Sequence, residues 1–233
     1  MDDLIRHELF EVEVLDRLKR AGLLERLIFG GCTMLRLCHD MQRYSVDLDF
    51  WLRPGTRSDV YYRRLHQALT QAFEVTDSHR KFFTLLIELR SPGYPRRLKL
   101  EIRRRMPRCD TEEKIAFSPH GTTQVLVTGM TLAQMMRNKV AALLDRREIR
   151  DAFDLEFLLR RGVAIEASVA QLRRMAQVLQ GFRPQYYRVT LGSLLEPTTR
   201  AYYQTHQFTY LAERIQARLT ALLESGGIPS RTA

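Results

Sequence analysis

Two aspartates, Asp47 and Asp49, stand two residues apart in Arg43-Tyr44-Ser45-Val46-Asp47-Leu48-Asp49-Phe50. At strand period, Ser45, Asp47 and Asp49 share one face, while Val46, Leu48 and Phe50 share the other. A strand of this kind fixes two carboxylates side by side on an apolar back. Like charges so close repel, and something positive must offset them. Hard divalent cations such as Mg²⁺ bind carboxylate oxygens together with substrate phosphates. The alternative is a polar strand face in water.

Upstream, the apolar run Leu27-Ile28-Phe29 ends in Gly30-Gly31, and Cys32-Thr33-Met34-Leu35-Arg36-Leu37 then follows a helical pattern. Glycines permit positive φ and close backbone approach, and a helix N-terminus after them offers free N–H groups to a phosphate. A plain turn is the alternative. Downstream, Phe82 to Leu89 and Leu98 to Arg103 read as an antiparallel strand pair around the Pro92-Gly93-Tyr94-Pro95 turn. Glu101 then lies on the polar face of its strand with Lys99 and Arg103. The plain account is a surface glutamate paired with one of those bases.

These groups need a sheet, and the chain is long enough to build one. It has 233 residues, of which 45% are hydrophobic, enough for one large domain or two small ones. Periodicity predicts helices at 3–20, 33–40 and 58–73, the last capped by Ser58, with strands at 24–31 and 44–52. A loop through Pro107, Cys109, Pro119 and Gly121 leads to a short strand at 123–127. After Gly129 the pattern is helical throughout, at 131–145, 149–160, 166–180, 198–204 and 208–224, with a frayed tail from Ser225. The expected class is α+β, with a catalytic domain over 1–128 and a helical domain over 129–233.

A second constellation opens the helical half: Lys139, Arg146, Arg147, Arg150, Asp151 and Asp154. At about 100° per residue, Lys139, Arg146, Arg150 and Asp154 share one side of a continuous helix. A break near Asp145 would instead put Lys139 and Asp154 on facing helices. An ordinary ladder of ion pairs four residues apart is the plainer account.

The order of these elements resembles the polymerase-β-like nucleotidyltransferases, and in particular the AbiEii (also MenT-type) toxins of bacterial toxin–antitoxin pairs. Their first motif runs roughly Gly-Gly-Thr/Ser-x-Leu, then Arg-x-Ser-x-Asp-Leu-Asp-Phe. They later carry a Lys, then Arg-x-x-x-Arg-Asp-x-x-Asp-Leu; Asn138-Lys139 and Arg146 to Leu155 fit that pattern. Cys32 departs from it, standing where a hydroxyl residue is usual. The resemblance covers about residues 27–155 and implies a mixed nucleotidyltransferase sheet with flanking helices, followed by a helical bundle. It implies that Asp47, Asp49 and Glu101 hold two Mg²⁺ ions, with Glu101 as the third acid on a neighbouring strand and Glu88 as the fallback for that place. Gly30, Gly31, Thr33, Arg43, Ser45, Lys139, Arg146 and Arg150 would bind nucleotide phosphates, and Asp154, or Asp151 in its place, would orient Lys139 or the base pocket. The implied reaction transfers a nucleotide from an NTP to an acceptor hydroxyl, the 3′ end of tRNA, blocking translation and growth. A cognate antitoxin encoded nearby is an implied partner.

A net charge of +10 favours a polyanionic partner, nucleic acid first. Three cysteines at irregular spacing suit a reducing compartment, and none pairs with histidine at zinc spacing. The six histidines are scattered and read as structural or surface residues. Neither a signal region nor a membrane-length apolar stretch is expected, so the expected location is the cytoplasm. Competing readings are nucleotidylation of a protein or small-molecule hydroxyl, a non-catalytic RNA- or nucleotide-binding module, and an interaction protein of an antitoxin complex.

Overall fold

The computed structural model describes residues 1–105 and 108–225 and divides the chain into two units, Met1–Thr131 and one beginning at Leu132. Pro107 and the tail beyond Ser225 lie outside the described residues. The first unit runs α1 (Asp2–Arg20), β1 (Leu27–Gly30), α2 (Gly31–His39), β2 (Asp47–Leu52) and α3 (Ser58–Thr70). It continues with β3 (Glu74–Arg80), β4 (Thr84–Arg90), β5 (Leu98–Arg103), β6 (Thr111–Phe117) and β7 (Gln124–Met130).

The strands form one mixed sheet in the order β3-β4-β5-β2-β1-β7-β6, with the acidic strand β2 at its centre. β2 runs antiparallel to β1 and parallel to β5, while β4 and β5 are antiparallel, as the turn between them predicts. Leu48, Phe50 and Leu52 are buried while Asp47, Asp49 and Trp51 are half-buried, the alternation expected of a strand with a core on one side. The neighbours repeat it, with Leu85, Ile87 and Leu89 of β4 and Leu98, Leu100 and Ile102 of β5 in the core. Phe29 stacks on Phe50 at 5.0 Å between ring centroids. These two residues are also register partners, and such a pair stabilises a sheet by roughly 0.2–1 kcal/mol. The acids are thereby pinned from behind. Helix α1 packs on β5 and β7, and α2 on β2 and β6.

Several expectations need correction. β2 begins at Asp47, so Ser45 lies in the preceding loop and not on the strand face. Ser58 is the first residue of α3 and not its cap; its hydroxyl accepts a hydrogen bond from Arg104 at 2.8 Å. β3 and β6 fall in stretches where no strand was expected. Both are edge strands with mostly exposed side chains, so neither carries the apolar alternation that marks a half-buried strand.

The second unit is helical: α4 (Leu132–Arg146), α5 (Ile149–Arg160), α6 (Val169–Gln180), α7 (Pro197–His206) and α8 (Thr209–Ser225). Helix α6 starts with a capping box, Ser168 and Gln171 satisfying each other's backbone N–H groups. A π-helical turn at Tyr186–Leu191 follows α6. No helix among the described residues is long and apolar enough to cross a membrane.

Candidate active site

In the first unit the site is built at the junction of β1, α2 and β2. Gly31 opens α2 with φ +73°, and a Cβ there would come within 2.8 Å of the Asp49 Cβ and overlap its carboxylate. Only glycine meets both demands, left-handed backbone and contact with an acid. The Asp49 carboxylate therefore lies against the first residue of a helix, where free N–H groups and the helix dipole favour anions. Gly30 is required for a different reason, since a Cβ there would sit 2.6 Å from the Trp51 ring.

Register sets the rest of the row. Asp49 is paired with Gly30 on one side and Glu101 on the other, and Asp47 is paired with Lys99. All three acids thus share one face of two adjacent parallel strands. Their side chains do not gather, however: no three His, Cys, Asp or Glu side chains among the described residues are grouped to hold a metal ion. Glu101 instead faces Lys99, at 3.6 Å, which is the surface-pair alternative. The donor chemistry suits a hard cation, since all three are carboxylates, and the Asp49 carboxylate fills the room left by the missing side chain of Gly31. Asp47 and Asp49 suit that role by residue type and by the strand face they share; Glu101 fits only by leaving Lys99.

Other expected phosphate ligands are engaged inside the fold. Thr33 is fully buried and donates to the Asp47 carbonyl at 2.5 Å, joining α2 to the start of β2. Arg43 is 1% exposed and donates to the Tyr44 carbonyl at 3.2 Å, so it lies within the unit and not on its surface. Ser45 donates to Cys32 Sγ at 3.2 Å. The cysteine thus takes part in the local hydrogen bonding that a hydroxyl residue would otherwise provide.

A buried polar network beneath the site was not foreseen. His7 Nε2–H donates to the Val46 carbonyl at 3.0 Å, directly before Asp47. Glu8 receives Arg36 Nε at 2.6 Å and the Ser118 hydroxyl at 2.6 Å. Arg36 also donates to the Met41 carbonyl at 2.9 Å and lies 4.2 Å from the Tyr44 ring centroid. Together these bonds hold the 40–46 loop that leads into β2. Glu11 is buried beside His7, at 3.8 Å. Burial pushes its carboxyl well above the usual range, and the charge of Glu8 adds to the effect. Burial lowers the His7 imidazole. The signal was present in the sequence: residues 7, 8 and 11 fall on the same stripe of α1 as Leu4, Leu15 and Leu18.

In the second unit α4 ends at Arg146 and α5 begins at Ile149, with Arg147 at φ +55° between them. The helix is therefore broken, and Lys139 meets the carboxylates from the facing helix. Its Nζ lies 2.6 Å from Asp154 Oδ2 and 3.3 Å from Asp151 Oδ1. Asp151 is gripped in turn by Arg146, with one nitrogen 2.8 and 2.9 Å from its two oxygens. The lysine and both aspartates are buried, well beyond a surface ladder of ion pairs. Arg150 donates to Glu148 at 2.7 Å. Burial would raise the Glu148 carboxyl, but the hydrogen bond and charge of Arg150, aided by Arg146 and Lys139, hold it below the usual range.

The structure of JHP933 from Helicobacter pylori is similar over 93% of this chain and 98% of its own, at 18% identity and a TM-score of 0.48. A structure solved as a candidate nucleotidyltransferase from H. pylori is similar over 89% of this chain and 97% of its own, at 16% identity and a TM-score of 0.51. The second likeness shows a shared fold. No curated protein sequence matches the chain. Residues 13–225 match the profile of the family described as nucleotidyl transferase AbiEii toxin, type IV toxin–antitoxin system. The chain belongs to the AbiEii family of nucleotidyltransferase toxins of type IV toxin–antitoxin systems.

Proposed function

We propose that this protein transfers a nucleoside monophosphate from an NTP to the 3′-terminal hydroxyl of a tRNA, arresting translation until a cognate antitoxin intervenes. The observation that carries the reading is the Asp47–Asp49 pair on the central strand, with the Asp49 carboxylate against the side-chain-free start of α2 at Gly31. A pair of acids, one of them at a helix N-terminus, suits a site where phosphates and a cation meet.

Asp47, Asp49 and Glu101 would hold Mg²⁺, which supplies charge neutralisation at the attacking and leaving oxygens. In the reaction the acceptor oxygen bonds to the α-phosphorus, the bond to the β-phosphate oxygen breaks, and pyrophosphate leaves. The acceptor proton would pass to Glu101 once that carboxylate has left Lys99. The N–H groups at the start of α2 bind the phosphate tail, and Lys139, oriented by Asp154, neutralises charge on the triphosphate. His7 and Thr33 keep the backbone of β2 in place beneath the acids. Phosphoryl chemistry of this kind is mainly positioning and charge stabilisation. The net charge of +10 favours an RNA acceptor.

The test is incubation with total RNA, with each labelled NTP in turn, in Mg²⁺. Label is expected at the 3′ end of tRNA, and Asp47→Ala or Asp49→Ala should abolish it. Undiminished labelling by either variant overturns the site. Label on protein or on a small molecule overturns the acceptor.

A further inference from the structure

A cavity of about 730 Å³ lies wholly within the helical unit, between the start of α5, α6 and the π-helical turn. That volume falls within the roughly 300–1,000 Å³ typical of ligand pockets. Its wall includes three guanidinium residues, Arg147, Arg150 and Arg174, and two aromatic residues, Phe182 and Tyr186, with Thr190 beside them. Glu148 is the one acid in the lining, and it is paired with Arg150. Arg174 is anchored to the Leu144 carbonyl at 3.0 Å.

Two backbone features set this wall apart. Arg147 holds φ +55°, a conformation uncommon for a residue with a side chain. Tyr186 and Thr190 lie on the π-helical turn, a form that tends to occur at functional positions. Phe182 and Tyr186 meet edge to face, with ring planes at 84° and centroids 6.3 Å apart, and Tyr186 is 43% exposed. Aromatic surface beside arginines is how proteins take unstacked bases of single-stranded RNA: the ring stacks on the base and the guanidinium binds the phosphate. A double helix has no loose base to place in a cavity; a single-stranded end does.

We propose that this cavity is an RNA subsite that receives one unstacked nucleotide of the acceptor strand, its base against Phe182 and Tyr186 and its phosphate on Arg147 and Arg174. The proposal rests on the RNA-acceptor reading above and assigns part of acceptor recognition to the helical unit. The experiment uses the full chain, a fluorescent single-stranded RNA oligonucleotide, and an Arg147→Asn/Tyr186→Ala double variant. Asparagine tolerates the left-handed backbone at position 147, and both positions are on the surface.

RNA affinity is expected to fall at least tenfold, with the salt dependence shallower by about one phosphate contact, while NTP binding stays within twofold. In the parent protein, 4-thiouridine RNA should cross-link to the segment 182–190. The proposal is overturned if RNA affinity stays within twofold, if NTP affinity falls in step with RNA, or if cross-links form only elsewhere. If the variant fails to fold, the cross-link map of the parent decides. RNA that cross-links at 182–190 yet never accepts a nucleotide would sink the acceptor reading and leave the subsite standing.

Discussion

Replacing Lys139 by Met separates what that residue does for the fold from what it does for chemistry. Its ammonium lies 2.6 Å from a wholly buried Asp154 and 3.3 Å from Asp151. Asp151 retains the Arg146 grip when Lys139 is lost, whereas Asp154 loses the cation against it. Breaking a buried pair by removing one partner costs about 3–5 kcal/mol, while replacing both partners by apolar residues is often neutral. Lys139→Met should therefore destabilise the protein by about 3–5 kcal/mol, and Lys139→Met/Asp154→Leu should recover most of that loss. At roughly 2–4 °C per kcal/mol for a chain of this size, the single variant should melt roughly 6–20 °C lower. The assay is thermal melting by circular dichroism, run beside nucleotide transfer to RNA. Both variants should be inactive if the ammonium serves the triphosphate. A single variant within about 1 kcal/mol of the parent would refute the burial argument. A stable double variant with full transfer activity would show that Lys139 is structural only.

Three further outcomes follow from the first unit. Gly31→Ala should abolish transfer and lower the melting temperature, because left-handed backbone costs a residue with a Cβ about 1–2 kcal/mol and the new methyl strikes Asp49; unchanged transfer would remove the phosphate site from the start of α2. Lys99→Met should lower the Mg²⁺ concentration needed for half-maximal NTP binding, since Glu101 loses its 3.6 Å partner; calorimetry showing an equal or higher requirement would exclude competition between Lys99 and the cation. Glu11→Gln should raise stability more at pH 8 than at pH 5. The native Glu11 carboxyl is raised by burial, so the native state binds more protons than the unfolded chain above about pH 4.5, and stability falls as pH climbs towards the folded value. Equal gains in melting temperature at both pH values would contradict that sign.

The alternation of β2 and the glycine pair before it were open to reading because a half-buried strand and a tight helix entry leave strong local marks. The break between α4 and α5 was one of two open possibilities, and only the facing helices bring Lys139 and Asp154 together. Glu101 was legible to the level of its face but not its rotamer, because the choice between Lys99 and a cation is made by charge, not by periodicity. β3 and β6 left no such mark: Glu74 to Arg80 and Thr111 to Phe117 lie at the sheet margins, where polar and charged side chains keep edges from pairing further. Thr33 and Arg43 looked like phosphate ligands by type; their burial is a product of tertiary packing, which no local pattern reports. His7, Glu8 and Glu11 were visible as polar residues on an apolar stripe, and their partners lie up to 110 residues away along the chain.

The strand that bears the two aspartates is clasped by β1 and by β5, and β1 is clasped in turn by β7. During synthesis, the segment that finishes this clasp, Gln124–Met130, emerges long after the aspartates themselves. Pairings this distant along a chain form late. A ribosome-bound fragment ending before Gln124 therefore presents the acids on an unfinished scaffold, so the poison stays unarmed until β7 has been made and has closed on β1.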